Sequence, residues 1–311
     1  MVIQEVPIKE FARIYEEGKS ILQIAGMFGL SYWIVRDRLL RYGMKIRDRN
    51  TPRLIPPSSA ELTPNKAYIL GVVGPGDGWI DKDRVGLNVV DLDFANEFDR
   101  CIREVYSLVP SRYEVNDNNP NHRTGYRVVL YSKRAVGDIF RYGKLEDFKH
   151  YNERVPVQIK KASLQVQAPY LRAFFDSQGS VSLHHKEITG TKKNKFVLEE
   201  IGGLLSNFDI YWRVVGPKFS GSRDITISCR KLIERFAERI NFTIWRKKCA
   251  LEKLLKSYKT CRCQTPSMLV DSLVPKMRRF RKMGYSYPNI GRILGIDAKT
   301  VWRRVNDMKR G

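Results

Sequence analysis

Two stretches decide the fold: AYILGVVGPGDGWI at residues 67–80 and PYLRAFFDSQGSV at residues 169–181. Each is an apolar helical run that ends in small residues, one polar residue, a glycine and the start of a strand. The first copy carries one extra residue. The elements around them repeat as well. After the first come GLNVVD, DFANEFDRCIREVYSLV, SRYEV, YRVVLYS and KRAVGDIFRYG. After the second come SVSLHHKEITGT, NKFVLEEIGGLLSNF, IYWRVV, DITISC and RKLIERFAERI. The short runs alternate in polarity as strands do, and the longer ones have helical spacing. The late elements align Leu130 with Ile227, Lys133 with Arg230 and Val136 with Ile233. The pattern predicts two αββαββα units on one chain related by a pseudo-twofold, an α+β fold, with RKKCALEKLLKS packed behind the second.

A second pair of repeats joins the two ends. GKSILQIAGMFGLSYWIVRDRLL and GYSYPNIGRILGIDAKTVWRRVN align at a constant offset of 266. Ser20 pairs with Ser286, Ala25 with Gly291, Gly29 with Gly295 and Val35 with Val301. Ser20 and Ser286 suit helix N-caps. A small residue at Ala25 or Gly291 lets two helices approach, and Gly29 or Gly295 supplies the positive φ of a turn. Ser31 and Asp297 cap a second helix that turns Ile34, Val35 and Leu39, or Val301 and Val305, inward. The units resemble helix-turn-helix DNA-binding domains, whose second helix enters the major groove. The outward candidates are Arg36 and Arg38 in the first copy, and Lys299, Thr300, Arg303 and Arg304 in the second.

Charge fits that partner. The chain has 311 residues with 56 Lys and Arg against 33 Asp and Glu, a net +23. Such an excess points to a polyanion, nucleic acid first. Residues 1–53 carry a net +4, residues 265–311 a net +8 and the middle +11. No apolar run approaches ~18 residues, so no membrane span is expected. MVIQEVPIKEF lacks a basic region followed by an apolar core, so a signal peptide is not expected either. The five cysteines and four histidines make no metal pattern, and free thiols in a reducing cytoplasm are the expectation. The expected organisation is a helix-turn-helix unit at 1–46, a Pro-rich extended linker at 47–64, repeats at 65–155 and 156–258, a linker at 259–270 and a second helix-turn-helix unit at 271–311.

The motif pair, repeat order and element order resemble the LAGLIDADG homing endonucleases, as a single-chain member with two motifs. The resemblance covers roughly 200 residues. It implies that the motif helices meet along the pseudo-twofold with Gly71 and Ala173 at the seam. It implies a DNA-binding saddle of two four-stranded antiparallel sheets. At its bottom, Asp77 takes the acid position of the first motif and Gln178 that of the second. Cleaving a phosphodiester calls for a hard divalent cation held by carboxylates, and Mg2+ or Mn2+ is the implied cofactor. Gln178 departs from that pattern, because an amide lacks the charge. It is a natural nicking arrangement, an introduced isosteric change or the mark of a retired nuclease, and the residues leave all three open. Pro75 and the extra residue also perturb the end of the first motif helix. Asp176, two residues before Gln178, is expected to cap or pack at the end of the second motif helix.

Lys133 and Arg230, at strand-to-helix junctions, take the basic positions that the resemblance places near the scissile phosphate. Groove-facing candidates in the first half are Arg84, Asn88, Arg112, Glu114, Asn116, Arg123 and Arg127. In the second they are His184, Lys186, Thr189, Arg213, Lys218, Arg223, Thr226 and Ser228. The expected activity is site-specific cleavage of double-stranded DNA across the minor groove of a long asymmetric target. The expected state is a cytoplasmic monomer, nucleoid-associated if prokaryotic, with no membrane partner and no small-molecule substrate. The alternative is a non-cleaving DNA-binding regulator on the same scaffold.

Overall fold

In a computed structural model, residues 8–16, 19–46, 54–115, 124–148, 153–258, 267–294 and 296–306 are described. The central part is the double repeat. Its first copy runs α4 (Pro64–Val73), β1 (Gly78–Ile80), β2 (Arg84–Val89), α5 (Leu92–Tyr106), β3 (Ser111–Val115), β4 (Gly125–Tyr131) and α6 (Lys133–Ile139). After the short α7 (Val157–Lys161) the second runs α8 (Leu164–Gln178), β5 (Gly179–Ser182), β6 (Glu187–Lys192), α9 (Lys195–Ser206), β7 (Arg213–Val215), β8 (Arg223–Ser228) and α10 (Arg230–Arg239). Each copy forms one antiparallel sheet, in the orders β1-β2-β4-β3 and β5-β6-β8-β7. The α+β, two-repeat reading holds.

Helices α4 and α8 make the most extensive contact in the molecule. The reason is steric. A Cβ built on Gly71 falls 2.6 Å from the Tyr170 carbonyl oxygen and 2.8 Å from the Ala173 Cβ. The two backbones therefore touch at a level where any larger side chain is excluded. The core continues across this seam: Ile69, Leu70, Leu171 and Phe174 are buried in one cluster with the inner faces of both sheets. Helix α5 covers β2 and β4, and α9 covers β7 and β8, so each sheet has one helix-covered face and one open face. Helix α11 (Trp245–Lys256) lies along the edge strand β5.

The terminal units are built as the sequence suggests, around cores of their own. Helices α1 (Ile8–Glu16), α2 (Ile21–Phe28) and α3 (Tyr32–Arg41) enclose Phe11, Ile24, Val35 and Leu39. Ser20 and Gln23 form a reciprocal capping box, Gly29 takes φ +61°, and the Ser31 hydroxyl accepts from the Ile34 N–H. At the other end α12 (Ser267–Lys282), α13 (Tyr287–Leu294) and α14 (Ala298–Asn306) enclose Met277, Ile290 and Val301. Asp297 accepts from the Lys299 and Thr300 N–H groups. Gly295 lies outside the described residues.

Some expectations need correction. Ile34 points outward, 43 % exposed, because Val35 and Leu39 alone fill the inward stripe of α3. The linkers are not extended throughout. Pro57–Ala60 form a 3-10 turn with Ser59 buried, since its carbonyl accepts from the buried Lys66 ammonium. The helix expected from 271 begins at Ser267 because Val270 is needed in its core.

Candidate functional site: a polar pair at the seam of two sheets

The site grows from the ends of the two motif helices. Thr63 caps α4, which starts with a proline whose missing N–H costs nothing at that position. The helix stops at Val73, four residues before Asp77, and the extra residue and Pro75 are taken up in a turn. Helix α8 instead continues to Gln178 and passes directly into β5. Unequal exits still converge: the Gln178 amide donates to the Asp77 carboxylate, so the two side chains sit side by side across the pseudo-dyad. Asp77 is exposed and Gln178 half-buried.

A buried polar layer holds the end of α8 from behind. Asp176, 1 % exposed, accepts from the Tyr68 hydroxyl at 2.9 Å and from the Thr243 N–H at 2.7 Å. Burial pushes its carboxyl up to about 6, although the Thr243 and Tyr68 hydrogen bonds oppose that shift. Lys247 of α11 donates to the carbonyls of Phe175 and Asp176, closing the last turn of α8. Desolvation lowers the Lys247 ammonium to about 8, opposed by the nearby Asp176 charge and, more weakly, by Asp77. Asp176 thus has the packing role anticipated for it. Lys247 was invisible as more than one cation in a packing helix. Arg246 next to it holds Asp91 of the first repeat with two bonds of 2.6 Å.

The open face of the first sheet follows from strand register. Trp79 opposes Gly86, Asn88 opposes Arg127, and Arg127 opposes Tyr113. Arg127 donates to Asn88 at 2.9 Å. Arg84 lies over the Trp79 ring at 5.7 Å and pairs with Asp81 at 3.2 Å. On the second sheet Ser180, Thr189, Thr226 and Ser228 share the open-face parity, facing one another across the strands or alternating along them, but Thr226 is buried at 3 % exposure and is covered as a groove candidate. The cations of this sheet are already matched: Arg213 with Glu187 at 3.8 Å, and Lys218 with Asp224 at 2.7 Å.

Five groove candidates sit elsewhere. Arg112 pairs in register with buried Val128, so it turns to the helix-covered side and binds Asp99 and Asn96 of α5. Glu114 shares that parity. Arg223 alternates with buried Ile225 and Ile227, and its guanidinium reaches the Lys193 carbonyl at 3.4 Å. Lys186 occupies the β5–β6 turn with φ +52° and stacks on Tyr258 at 5.0 Å, with His184 and His185 in the same turn. Asn116 and Arg123 fall outside the described residues. Lys133 and Arg230 begin α6 and α10 as anticipated. Lys133 is exposed, whereas the Arg230 guanidinium is engaged by Glu234 at 2.6 Å, one turn along its own helix. In α3, Arg36 stacks on Trp33 at 5.9 Å, but Arg38 folds back over Phe11 of α1 at 5.6 Å, facing the unit's own core. In α14, Lys299 and Arg303 are exposed, while Thr300 and Arg304 are half-buried.

Among the described residues no cluster of three or more His, Cys, Asp or Glu side chains is placed to hold a metal ion. The donors at the seam are one carboxylate and one amide. They fit a hard divalent cation only as part of its shell, with phosphate oxygens and water completing it.

This geometry defines a class: a pseudo-symmetric, two-sheet fold with a polar pair where its motif helices meet. The second repeat is a LAGLIDADG-like domain, since residues 165–241 match the family model of that description. The chain is 25 % identical over 201 residues to the DNA-directed RNA polymerase subunit Rpo1C of Methanocaldococcus jannaschii, covering 65 % of this chain and 22 % of that one. It is 30 % identical over 189 residues to a probable translation initiation factor IF-2 of Thermococcus kodakarensis, covering 61 % and 15 %. The chain spans about a fifth of the length of the curated relatives it matches. Among solved structures it is similar to I-DmoI in complex with DNA and Mn, at 19 % identity and TM-score 0.44, over 58 % of this chain and 98 % of that. It is also similar to full-length DUF199/WhiA from Thermatoga maritima, at 12 % identity and TM-score 0.45, over 83 % and 92 %.

Proposed function

We propose that the chain is a site-specific endonuclease of the homing type acting on double-stranded DNA, with the second of its two strand-cutting positions weakened by Gln178. One observation carries this reading: Asp77 and Gln178 meet where the two motif helices converge between two open sheet faces. The LAGLIDADG-like domain and the net charge of +23 support it. The sheets would lie in the major groove and the pair over the minor groove between the two half-sites, leaving short 3′ overhangs if both strands are cut. The terminal units would lengthen the footprint on both flanks, Arg36 on one side and Lys299 and Arg303 on the other. The partner is DNA alone, bound by a monomer in the cytoplasm.

Magnesium or manganese would be held by the Asp77 carboxylate with the Gln178 amide oxygen, and would supply an activated water and relief of phosphate charge. The protein's own part is positional. The Gly71 contact fixes the distance between helix ends, and the Lys247 ammonium and Asp176 fix the last turn of α8. Lys133 is placed at the start of α6 as an exposed cation for a phosphate.

The second reading, a DNA-binding regulator without cleavage, draws on Gln178 itself, because an amide removes one of the two formal charges a cation needs. The two are separated by cutting. Duplexes are first selected for binding from a randomised pool, then incubated with magnesium and the chain, Gln178→Glu or Asp77→Asn. The nuclease reading expects cleavage raised by Glu and abolished by Asn. Tight binding without cutting by any of the three establishes the regulator.

A further inference from the structure

The two halves of the site differ most at one position. Trp79 and Ser180 are each the second residue of the strand that leaves the motif, two residues beyond Asp77 and Gln178 respectively. Both belong to the open face of their sheet, since Trp79 opposes Gly86 and Ser180 opposes Thr189. The indole lies flat on the strand beside it. A Cβ built on Gly86 would fall 2.5 Å from Trp79 Cζ2 and 2.8 Å from Cε2, so only glycine leaves room for the ring. Val129, opposite Gly86 in β4, is 2 % exposed although it shares the open face. The floor of the first half is therefore an aromatic platform.

The Trp79 Nε1–H is closed to solvent and has no hydrogen-bond partner among the described residues. Indole is a donor only, and a buried donor left unpaired is unfavourable in the free chain. The side chain lying over the ring is Arg84, held by its stack, by Tyr131 opposite it in β4 and by an ion pair with Asp81 that is exposed on both sides. Exposed pairs contribute little, so the guanidinium leaves readily for a DNA phosphate. The second half offers no such arrangement. Ser180 is exposed, and the Arg213 and Lys218 side chains of that half are matched by Glu187 and Asp224.

Building on the DNA-binding reading above, we infer that Trp79 is a specificity-determining contact. Its N–H takes a base-edge acceptor in the half-site beside Asp77 once Arg84 moves off the ring. Ser180 leaves the other half-site without that contact, so the chain lies on its target in one orientation, with a defined strand at Asp77.

The test is selection of bound duplexes from a fully randomised pool by the wild type, Trp79→Phe, Arg84→Met and the pair Ser180→Trp with Thr189→Gly. Folding of each is checked by circular dichroism. The wild type is expected to select a pattern that is stronger on one side of its centre. Trp79→Phe keeps a ring but loses the N–H, and should lose about tenfold in preference at central positions on that side. Arg84→Met should keep the central preference and bind all duplexes more weakly. The double variant should gain a preference on the opposite side. An unchanged pattern for Trp79→Phe, or an even loss across all sequences, overturns the inference, because the indole is then inert or a backbone contact. A wild type that selects no pattern overturns the DNA-reading function itself.

Discussion

Adding one methyl group at Gly71 tests the seam that positions the site. In Gly71→Ala the new Cβ would stand 2.6 Å from the Tyr170 carbonyl oxygen and 2.8 Å from the Ala173 Cβ. Neither neighbour is the flexible end of a long side chain, so the helices themselves must separate. Overpacking of this kind costs roughly 1–3 kcal/mol. Replacing a mid-helix glycine by alanine returns up to about 1 kcal/mol through backbone entropy. With that full return the net expectation is a loss of up to about 2 kcal/mol, or up to roughly 8 °C in the melting of the double repeat. Gly203, in the middle of α9, is the internal control, because a Cβ there meets nothing within 4 Å. Gly203→Ala should gain up to about 1 kcal/mol. Urea titrations of both variants give the comparison directly. If Gly71→Ala proves as stable as Gly203→Ala, the backbones do not touch at the seam and the placement of Asp77 against Gln178 loses its mechanical basis.

Asp176 should make stability depend on pH. Its carboxyl is held at about 6 against an ordinary 3.8, so between those values the folded chain keeps a proton that the unfolded chain has released. Stability contributed at acid pH is therefore lost as pH rises from about 4 to 6, by roughly 2–3 kcal/mol, and Asp176→Asn should flatten that limb in chemical denaturation. Arg112→Met and Arg127→Met should part company. The first loses the bond to the buried Asp99 and about 1 kcal/mol of stability with selected DNA sequences unchanged, whereas the second leaves stability unchanged and weakens DNA binding. Binding measured by anisotropy should fall steeply with salt, about 10³-fold or more between 50 and 200 mM, if six or more phosphates are neutralised. A shallow slope would remove nucleic acid as the reason for the charge.

The repeats, the element order and the terminal helix pairs were legible because each rests on short-range signals. Ser20, Gly29 and Ser31 announce a turn between two helices, whereas the seam at Gly71 and Ala173 is expected only from the resemblance of the two motifs to a known family. What misled was parity. Strand faces alternate with every residue, so a guanidinium in β3 or β8 reads equally well on either side until register is known. Arg112 and Arg223 fell on the covered side for that reason, and Arg38 on the inward side of its helix. Trp79 was overlooked because its strand is only three residues long and shows no alternation of its own. Lys247 belongs to contacts some 70 residues away in sequence, which no local pattern carries.

The two end units each close over their own apolar residues, Phe11 with Ile24 and Val35 in one, Met277 with Ile290 and Val301 in the other. Substitutions on their solvent side are therefore answerable only to whatever they touch outside the chain. On the function proposed above, an exchange of one end unit for another of the same plan would leave the central double repeat intact and move only the address at which it works.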